Sequence, residues 1–459
     1  MPAFNDLETA RSIALAVQKA GGRVFYVGGF VRDRLLGIAN KDIDIEVHGI
    51  PLEQLCTILD AHGERTAMGA GFEVLGLKHC GLDISLPRKE NAKGGDLAAC
   101  CDPYLGPEKA AARRDFTINA MMEDVLTGEV LDFFGGRQDL EAGVIRHVGS
   151  SCFVQDPLRV FRAAQFAARF GFSIAPETRL LASQVNTASL ACERVFTELE
   201  KALLKSPKPS LFFEELRAMR QLRPWFGELE ALISTEQDPV FHPEGSAWVH
   251  TMQVLDEAAA RRDRAQEPLF FMLSALCHDY GKAISSQKID GRIHAYEHEI
   301  KGLPLVKGFL RRLTSNRDLL SYADNMVRWH MQPNALCYQN AGAKAYLKMF
   351  DRSVCPGDLL LIAQADHFGR SLTPERYAEL TQNYIPMQKT LDEMYALFRQ
   401  RMALPAVTGR DLIDAGFQPG PPFSQALEYA HRLQLAGVKK EAALPQTLAY
   451  LAQLLAEEK

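Results

Sequence analysis

The chain has 459 residues, of which 47% are hydrophobic and 24% charged, and a net charge of −5. At roughly 100–200 residues per domain that length calls for about three or four packed units, and the composition excludes a disordered or fibrous protein. The negative balance excludes a chain that coats nucleic acid over its whole surface, so any polyanion must meet a local patch.

The nine cysteines, at 56, 80, 100, 101, 152, 192, 277, 337 and 355, include no CxxC pair. This argues against a thiol-based zinc site and suits reduced thiols in a cytoplasm. The apolar run near the N-terminus is too short for a signal peptide, and no segment reads as membrane-spanning.

Residues 1–150 alternate short β-branched or aromatic runs (RVFYVGG, DIDIEV, GFEVLGLKH, LDISLP) with helical stretches such as PLEQLCTILDAHGE. This predicts an α/β head with a mixed sheet, and DVLTGEVLDFF adds a hairpin. Residues 151–238 have helix composition, punctuated by Pro207, Pro209 and Pro224, and form a predicted helical neck and body. Residues 239–375 continue as helices and hold His242, His250, His278, His294, His298, His330 and His367, seven of the twelve histidines. Residues 376–459 form a predicted helical tail, and no internal repeat is visible.

In the head, Gly28 and Gly29 sit between a predicted strand and a predicted helix, where backbone amides can approach a phosphate without obstruction. The next strand, DIDIEV, puts Asp42 and Asp44 on one face and turns Ile43 and Ile45 toward the core. Two such carboxylates repel unless a divalent cation lies between them, and hard oxygen ligands beside a phosphate-cradling turn suit Mg²⁺. Asp83, in LDISLP, is either a third carboxylate for that ion or an ion-pair partner of Arg88. Further on, residues 155–225 carry eleven Lys or Arg against seven Asp or Glu, with Arg159, Arg162 and Arg169 at helical spacing.

These segments resemble the class II nucleotidyltransferases, the CCA-adding tRNA nucleotidyltransferases and related bacterial poly(A) polymerases. The resemblance rests on GG-x-VRD-x-LLG followed by DxD, on RRDFTINAM (113–121), on DPLRVFRAAQFAARFGF, and on ERVFTE (193–198), in the family's order. It implies a polymerase-β-like head followed by all-helical neck, body and tail. It further implies Mg²⁺ on Asp42 and Asp44, the incoming nucleotide on Gly28, Gly29, Arg32, Arg114, Arg159 and Arg162, and its ribose on Asp115. Asp156 and Arg159 would read the base edge of C or A. Gln155 stands where the family has Glu, and AACCDPYLGPEKAAARRD departs from the family's acidic loop. The implied reaction adds CMP and then AMP, from CTP and ATP, to a tRNA 3′ end held along the basic middle and the tail.

His250, His278, Asp279 and Asp366 lie in apolar helical contexts, and imidazoles and carboxylates meeting inside a bundle make a first shell for a divalent transition metal. The ordered H…HD…D set resembles the HD phosphohydrolase superfamily, with His298 and His330 at further matching positions. The implied activity is hydrolysis of phosphoesters such as 2′,3′-cyclic phosphates or 2′-nucleotides. Two alternatives stand beside this reading. One is CC-only, A-only or poly(A) addition; the other is an HD phosphohydrolase whose head binds nucleotide but is inactive.

Overall fold

The computed structural model describes residues 4–68, 74–89, 100–370 and 373–457. The chain divides into two compact units, Met1–Ala202 with Leu211–Gln221, and Leu203–Ser210 with Leu222–Lys459.

The first unit is built on a seven-stranded mixed sheet. Its strands in chain order are β1 (Arg23–Val27), β2 (Ile43–His48), β3 (Arg65–Met68), β4 (Val74–Leu77), β5 (Leu82–Ser85), β8 (Met122–Asp124) and β9 (Val130–Leu131). Between them in sequence, the short β6 (Arg88–Lys89) and β7 (Cys100–Cys101) pair with each other. The spatial order is β3-β4-β5-β2-β1-β8-β9. Strands β2 and β5 run parallel, with Asp44 opposite Asp83, while β1 is antiparallel to both of its neighbours.

Alternation dictates which face is buried. Ile43, Ile45 and Val47 of β2 are at most 1% exposed and face the core, so Asp44 and Glu46 share the other face. The helix Phe4–Lys19 covers the sheet with Ala10, Ile13, Ala14 and Val17, the spacing of one helical stripe. The head hairpin expected from DVLTGEVLDFF is the β8–β9 pair.

The helix Leu158–Phe170 turns its apolar residues inward and carries Arg159, Arg162 and Arg169 along one side. Around it β10 (Val144–Ile145), at the end of the head, and β11 (Ser173–Ile174) form a short parallel ladder, and β11 lies in a stretch expected to be helical. Of the unusual loop before Arg113, residues 98 and 99 lie outside the described set, and Pro107–Ala112 is a short helix.

The second unit is helical. Helices Ala247–Ala259, Pro268–Cys277, Arg317–Trp329 and Pro356–Phe368 pack around one core. A hairpin of β12 (Ser286–Ile289) and β13 (Arg292–Ala295) interrupts them where only helices were expected. Its signal was present in the sequence: Asp290-Gly291 supplies the two positive φ angles, 50° and 80°, that a tight hairpin turn requires. At the C-terminal end, Val407, Leu412, Ala426, Ala430, Ala443 and Leu451 form a small core of their own beneath Pro422–Leu435 and Lys440–Glu457. Among the described residues no helix is long and apolar enough to cross a membrane.

Candidate functional site

In the first unit the carboxylates and arginines converge beside the end of β1 and on the Asp44–Glu46 face of β2. Gly28 links β1 to the helix Gly29–Leu35 with φ 66°, and a Cβ there would lie 3.0 Å from Nη1 of Arg114 and 3.7 Å from Oδ2 of Asp44. The turn therefore needs glycine both for its backbone angle and for close approach. Asp42 is exposed just before β2, Asp44 is half-buried within it, and Asp83 is exposed on β5 opposite Asp44. Burial first, and then the charges of Asp83 and Asp42, push the Asp44 carboxyl up to about 6 against the pull of Arg114. Crowded carboxylates that raise the proton affinity of Asp44 and Asp83 fit a divalent cation, because the ion removes that repulsion.

Arg114 is positioned by a residue that sequence reasoning overlooked. Glu46, the next residue of the Asp42–Asp44 alternation, is 1% exposed and accepts from or pairs with His48 Nε2 at 2.9 Å. Its other oxygen lies 3.6 Å from Arg114 Nη2. The signal was the period-two pattern itself, which carries one acidic residue further than the two aspartates.

The helix Leu158–Phe170 contributes a second layer. Arg162 Nε donates to Asp115 Oδ2 at 2.7 Å, and Nη2 lies 2.6 Å from the same oxygen. Burial acts to raise Asp115, but Arg162, Asn119 and the Phe116 amide outweigh it and hold the carboxyl below its ordinary value. Arg159 donates to the carbonyls of Cys152 and Arg113 at 2.7 and 2.9 Å. Arg194 grips both oxygens of Asp156 at 3.1 and 2.9 Å, and Glu198 stands 3.9 Å from Arg162. Within ERVFTE, Arg194 thus braces Asp156, expected to read the base, and Glu198 stands by Arg162, expected to contact the nucleotide.

Arg32 has an unexpected placement. Expected to touch nucleotide, it is 3% exposed, bonded to Asp33 and to Asn119, and stacked over the rings of Phe166 and Phe170 at 5.1 and 4.7 Å. Asn119 then donates to Asp115 at 3.0 Å, so Arg32, Asn119, Asp115 and Arg162 form one chain of bonds, buried except at Arg162.

The second unit brings His250, His278, Asp279, His298, His330 and Asp366 together: Asp279, His298, His330 and Asp366 line a cavity of about 330 Å³, and His250 and His278 lie fully buried beside them. Asp279 lies between them, with Oδ2 3.2 Å from His278 Nε2 and Oδ1 3.1 Å from His298 Nε2. His250 Nε2 is 3.0 Å from Asp366. Gly281 allows this approach, since a Cβ there would overlap the His298 carbonyl.

Three of the imidazoles are oriented alike. Nδ1 of His278, His298 and His330 bonds the carbonyl three residues earlier, at 2.8, 2.9 and 2.7 Å. That fixes the proton on Nδ1 and turns the Nε2 lone pair inward, which is how a metal-binding histidine is presented. Nε2 of His278 and of His298 is buried without a hydrogen bond of acceptable angle. Burial draws His330 down to about 3, keeping it neutral. Orphaned lone pairs beside two buried carboxylates fit a divalent transition metal. Lys282 lies 2.7 Å from Asp279 and Arg370 3.4 Å from Asp366, so the cavity also offers cations to an anion. Neither was singled out from the sequence, although each follows its carboxylate at helical spacing.

Residues 24–146 match the family model of the poly A polymerase head domain. A "Multifunctional CCA protein" of Actinobacillus pleuropneumoniae serotype 5b is 34% identical over 393 residues, covering 81% of this chain and 92% of that protein. One of Pasteurella multocida is 33% identical over 413 residues, 86% and 92% of the two chains. Among solved structures, a CCA-adding enzyme in an apo form aligns with TM-score 0.64 and 22% identity over 97% and 96% of the chains, which shows a shared fold. On an identity above 30% across most of both lengths, the chain belongs to the multifunctional CCA protein family of class II nucleotidyltransferases.

Proposed function

We propose that the chain is a CTP/ATP:tRNA nucleotidyltransferase that adds C and A to the tRNA 3′ end without a nucleic-acid template. One observation carries this reading: Asp42, Asp44 and Asp83 cluster beside the Gly28 turn with Arg114 against them. Mg²⁺ held by Asp42 and Asp44 would neutralise the triphosphate and favour ionisation of the attacking 3′-OH. Gly28 and Gly29 leave backbone room for the phosphates, and Arg114 supplies a fixed cation beside them. Asp115, locked by Arg162, orients the ribose; Asp156, locked by Arg194, faces the base with Arg159. Arg32 acts from beneath, holding Asn119 and through it Asp115. Catalysis on this reading is positioning and charge neutralisation.

Relatives carrying the name "Multifunctional CCA protein", and solved CCA-adding enzymes in complexes with ATP, CTP and tRNA, support the choice of substrates. The test supplies tRNA lacking its 3′ end with labelled CTP, ATP or both. Ordered addition of CCA is expected, whereas long A tails or C-only products would overturn it.

The histidine–aspartate floor favours a second activity, a phosphohydrolase or phosphodiesterase reaction in the second unit. A transition metal on His250, His278, Asp279 and Asp366 would polarise the phosphoryl group and activate water. Lys282 and Arg370 hold the anionic oxygens, and His298 and His330 close the cluster's far side. Release of nitrophenolate from bis-(p-nitrophenyl) phosphate, dependent on added Mn²⁺ or Co²⁺, tests it. No release with any divalent metal would overturn it.

A further inference from the structure

Three cluster histidines take their orientation from backbone carbonyls, but His250 cannot. It lies inside the helix Ala247–Ala259, and the carbonyl three residues before it, on Ala247, already accepts the Thr251 hydroxyl at 2.8 Å. His250 is fully buried, with Nε2 facing Asp366 at 3.0 Å, so Nδ1 must find a partner elsewhere. The polar atom it lies against is Oε1 of Glu244, at 2.9 Å, an ion-pair contact in which Nδ1 makes no hydrogen bond. The same Oε1 bonds Nδ1 of His242 at 2.8 Å. Glu244 is 6% exposed, and its Oε2 makes no hydrogen bond.

The segment carrying this carboxylate is tied down on both sides. Gln237 donates to the Gly245 carbonyl, the Ala247 amide to Thr235, and the His242 amide to Asp238. His242 in turn lines the cavity with Lys282 and Arg370, and its ring sits 4.8 Å from that of His250. With Nδ1 committed to Glu244, Nε2 is the nitrogen left for the cavity.

We propose that Glu244 is a positioning residue for the second site: one carboxylate oxygen fixes the tautomer and angle at which His250 presents Nε2 to the metal, and at which His242 presents Nε2 to a substrate phosphoryl oxygen. The inference rests on the metal reading given above. It assigns different tasks to the two histidines, a ligand's to His250 and a substrate contact's to His242. Losing an outer carboxylate that orients a ligand histidine lowers metal affinity by roughly 10–100-fold.

The test titrates full-length, metal-stripped protein with Co²⁺, following the visible absorption that reports its coordination, and measures Tm without metal. Glu244→Gln keeps the shape but halves the acceptor capacity and removes the charge; it should bind Co²⁺ about tenfold or more weakly at an unchanged metal-free Tm. Glu244→Asp, one methylene shorter, provides a second reading should the first variant fold poorly, and should also bind Co²⁺ more weakly. His242→Gln should bind Co²⁺ as the parent does while raising KM for bis-(p-nitrophenyl) phosphate. Parent-like affinity in both Glu244 variants overturns the proposal, and so does a loss of Co²⁺ affinity in His242→Gln equal to that of Glu244→Gln. A parent protein that binds no Co²⁺ at all would instead overturn the metal reading beneath it.

Discussion

Asp44 and Asp83 stand opposite each other on parallel neighbouring strands, and the Asp44 carboxyl, half-buried between Asp83 and Asp42, is driven up to about 6. A raised carboxyl means that the folded protein holds the proton more tightly than the unfolded chain. The cost of ionising it appears as pH rises from the ordinary value of 3.8 and is complete above about 6. Two pKa units correspond to roughly 3 kcal/mol as an upper bound. Asp44→Asn should therefore raise Tm in metal-free buffer at pH 8 while abolishing CMP incorporation. The difference in Tm should vanish below about pH 4, where both side chains are neutral. Thermal scans at the two pH values check it, and a lower Tm at pH 8 would contradict the proposed repulsion.

The pairing of Asp115 with Arg162 has the opposite sign. Asp115 is held below its ordinary value, so its contribution to stability is present above about pH 4 and is lost as pH falls through the depressed value. Removing one partner of a buried pair strands the other, at about 3–5 kcal/mol. Arg162 keeps a side-chain exposure of 31%, which places the loss at the lower end. Arg162→Ala should cost about 3 kcal/mol by urea denaturation at pH 7, and adding Asp115→Asn should recover much of it. If the double variant is no more stable than the single one, the stranded carboxylate is not the cause.

How much of this was legible beforehand depends on the range of the interaction that fixes each residue. Asp42 and Asp44 could be placed on one face because strand alternation is local, and β2 buries Ile43 and Ile45 as that pattern requires. The Asp290-Gly291 turn was equally local and was passed over because helix composition dominated its surroundings. Arg32 was different. Its sequence neighbours point to nucleotide, but Asn119, Phe166 and Phe170 fix it in the interior, and those contacts span 87 or more residues. Glu244 could not have been found from spacing, because its role depends on the helix around His250 using up the backbone acceptor.

Arg194 holds the carboxylate proposed to recognise the base, taking both oxygens of Asp156 with one Nη2. A carboxylate freed from that grip can rotate and accept from other base edges, so discrimination should suffer more than overall stability. Arg194 is half exposed and its pair is worth at most about 1 kcal/mol to the fold. Arg194→Ala should add UMP or GMP measurably and should raise KM for CTP and ATP, with Tm nearly unchanged. Single-nucleotide incorporation assays check it, and selectivity equal to that of the parent would show that Asp156 needs no brace.

The two candidate sites lie in different compact units, which predicts that each can be silenced alone. Asp279 is the centre of the second cluster, within 3.2 Å of His278 and 3.1 Å of His298, and Lys282 leans on it at 2.7 Å. Asp279→Asn replaces an anionic ligand by a neutral amide among imidazoles already short of negative charge, so metal affinity should fall steeply. Phosphodiester hydrolysis should drop to background while CCA addition with Mg²⁺ continues at the parent rate. Asp42→Ala with Asp44→Ala should do the reverse. Chelation with EDTA should stop both reactions; Mg²⁺ alone should restore nucleotide addition, and hydrolysis should return only with a transition metal. Running both assays on all three proteins separates the outcomes. If Asp279→Asn also stopped nucleotide addition, the two units would not act independently.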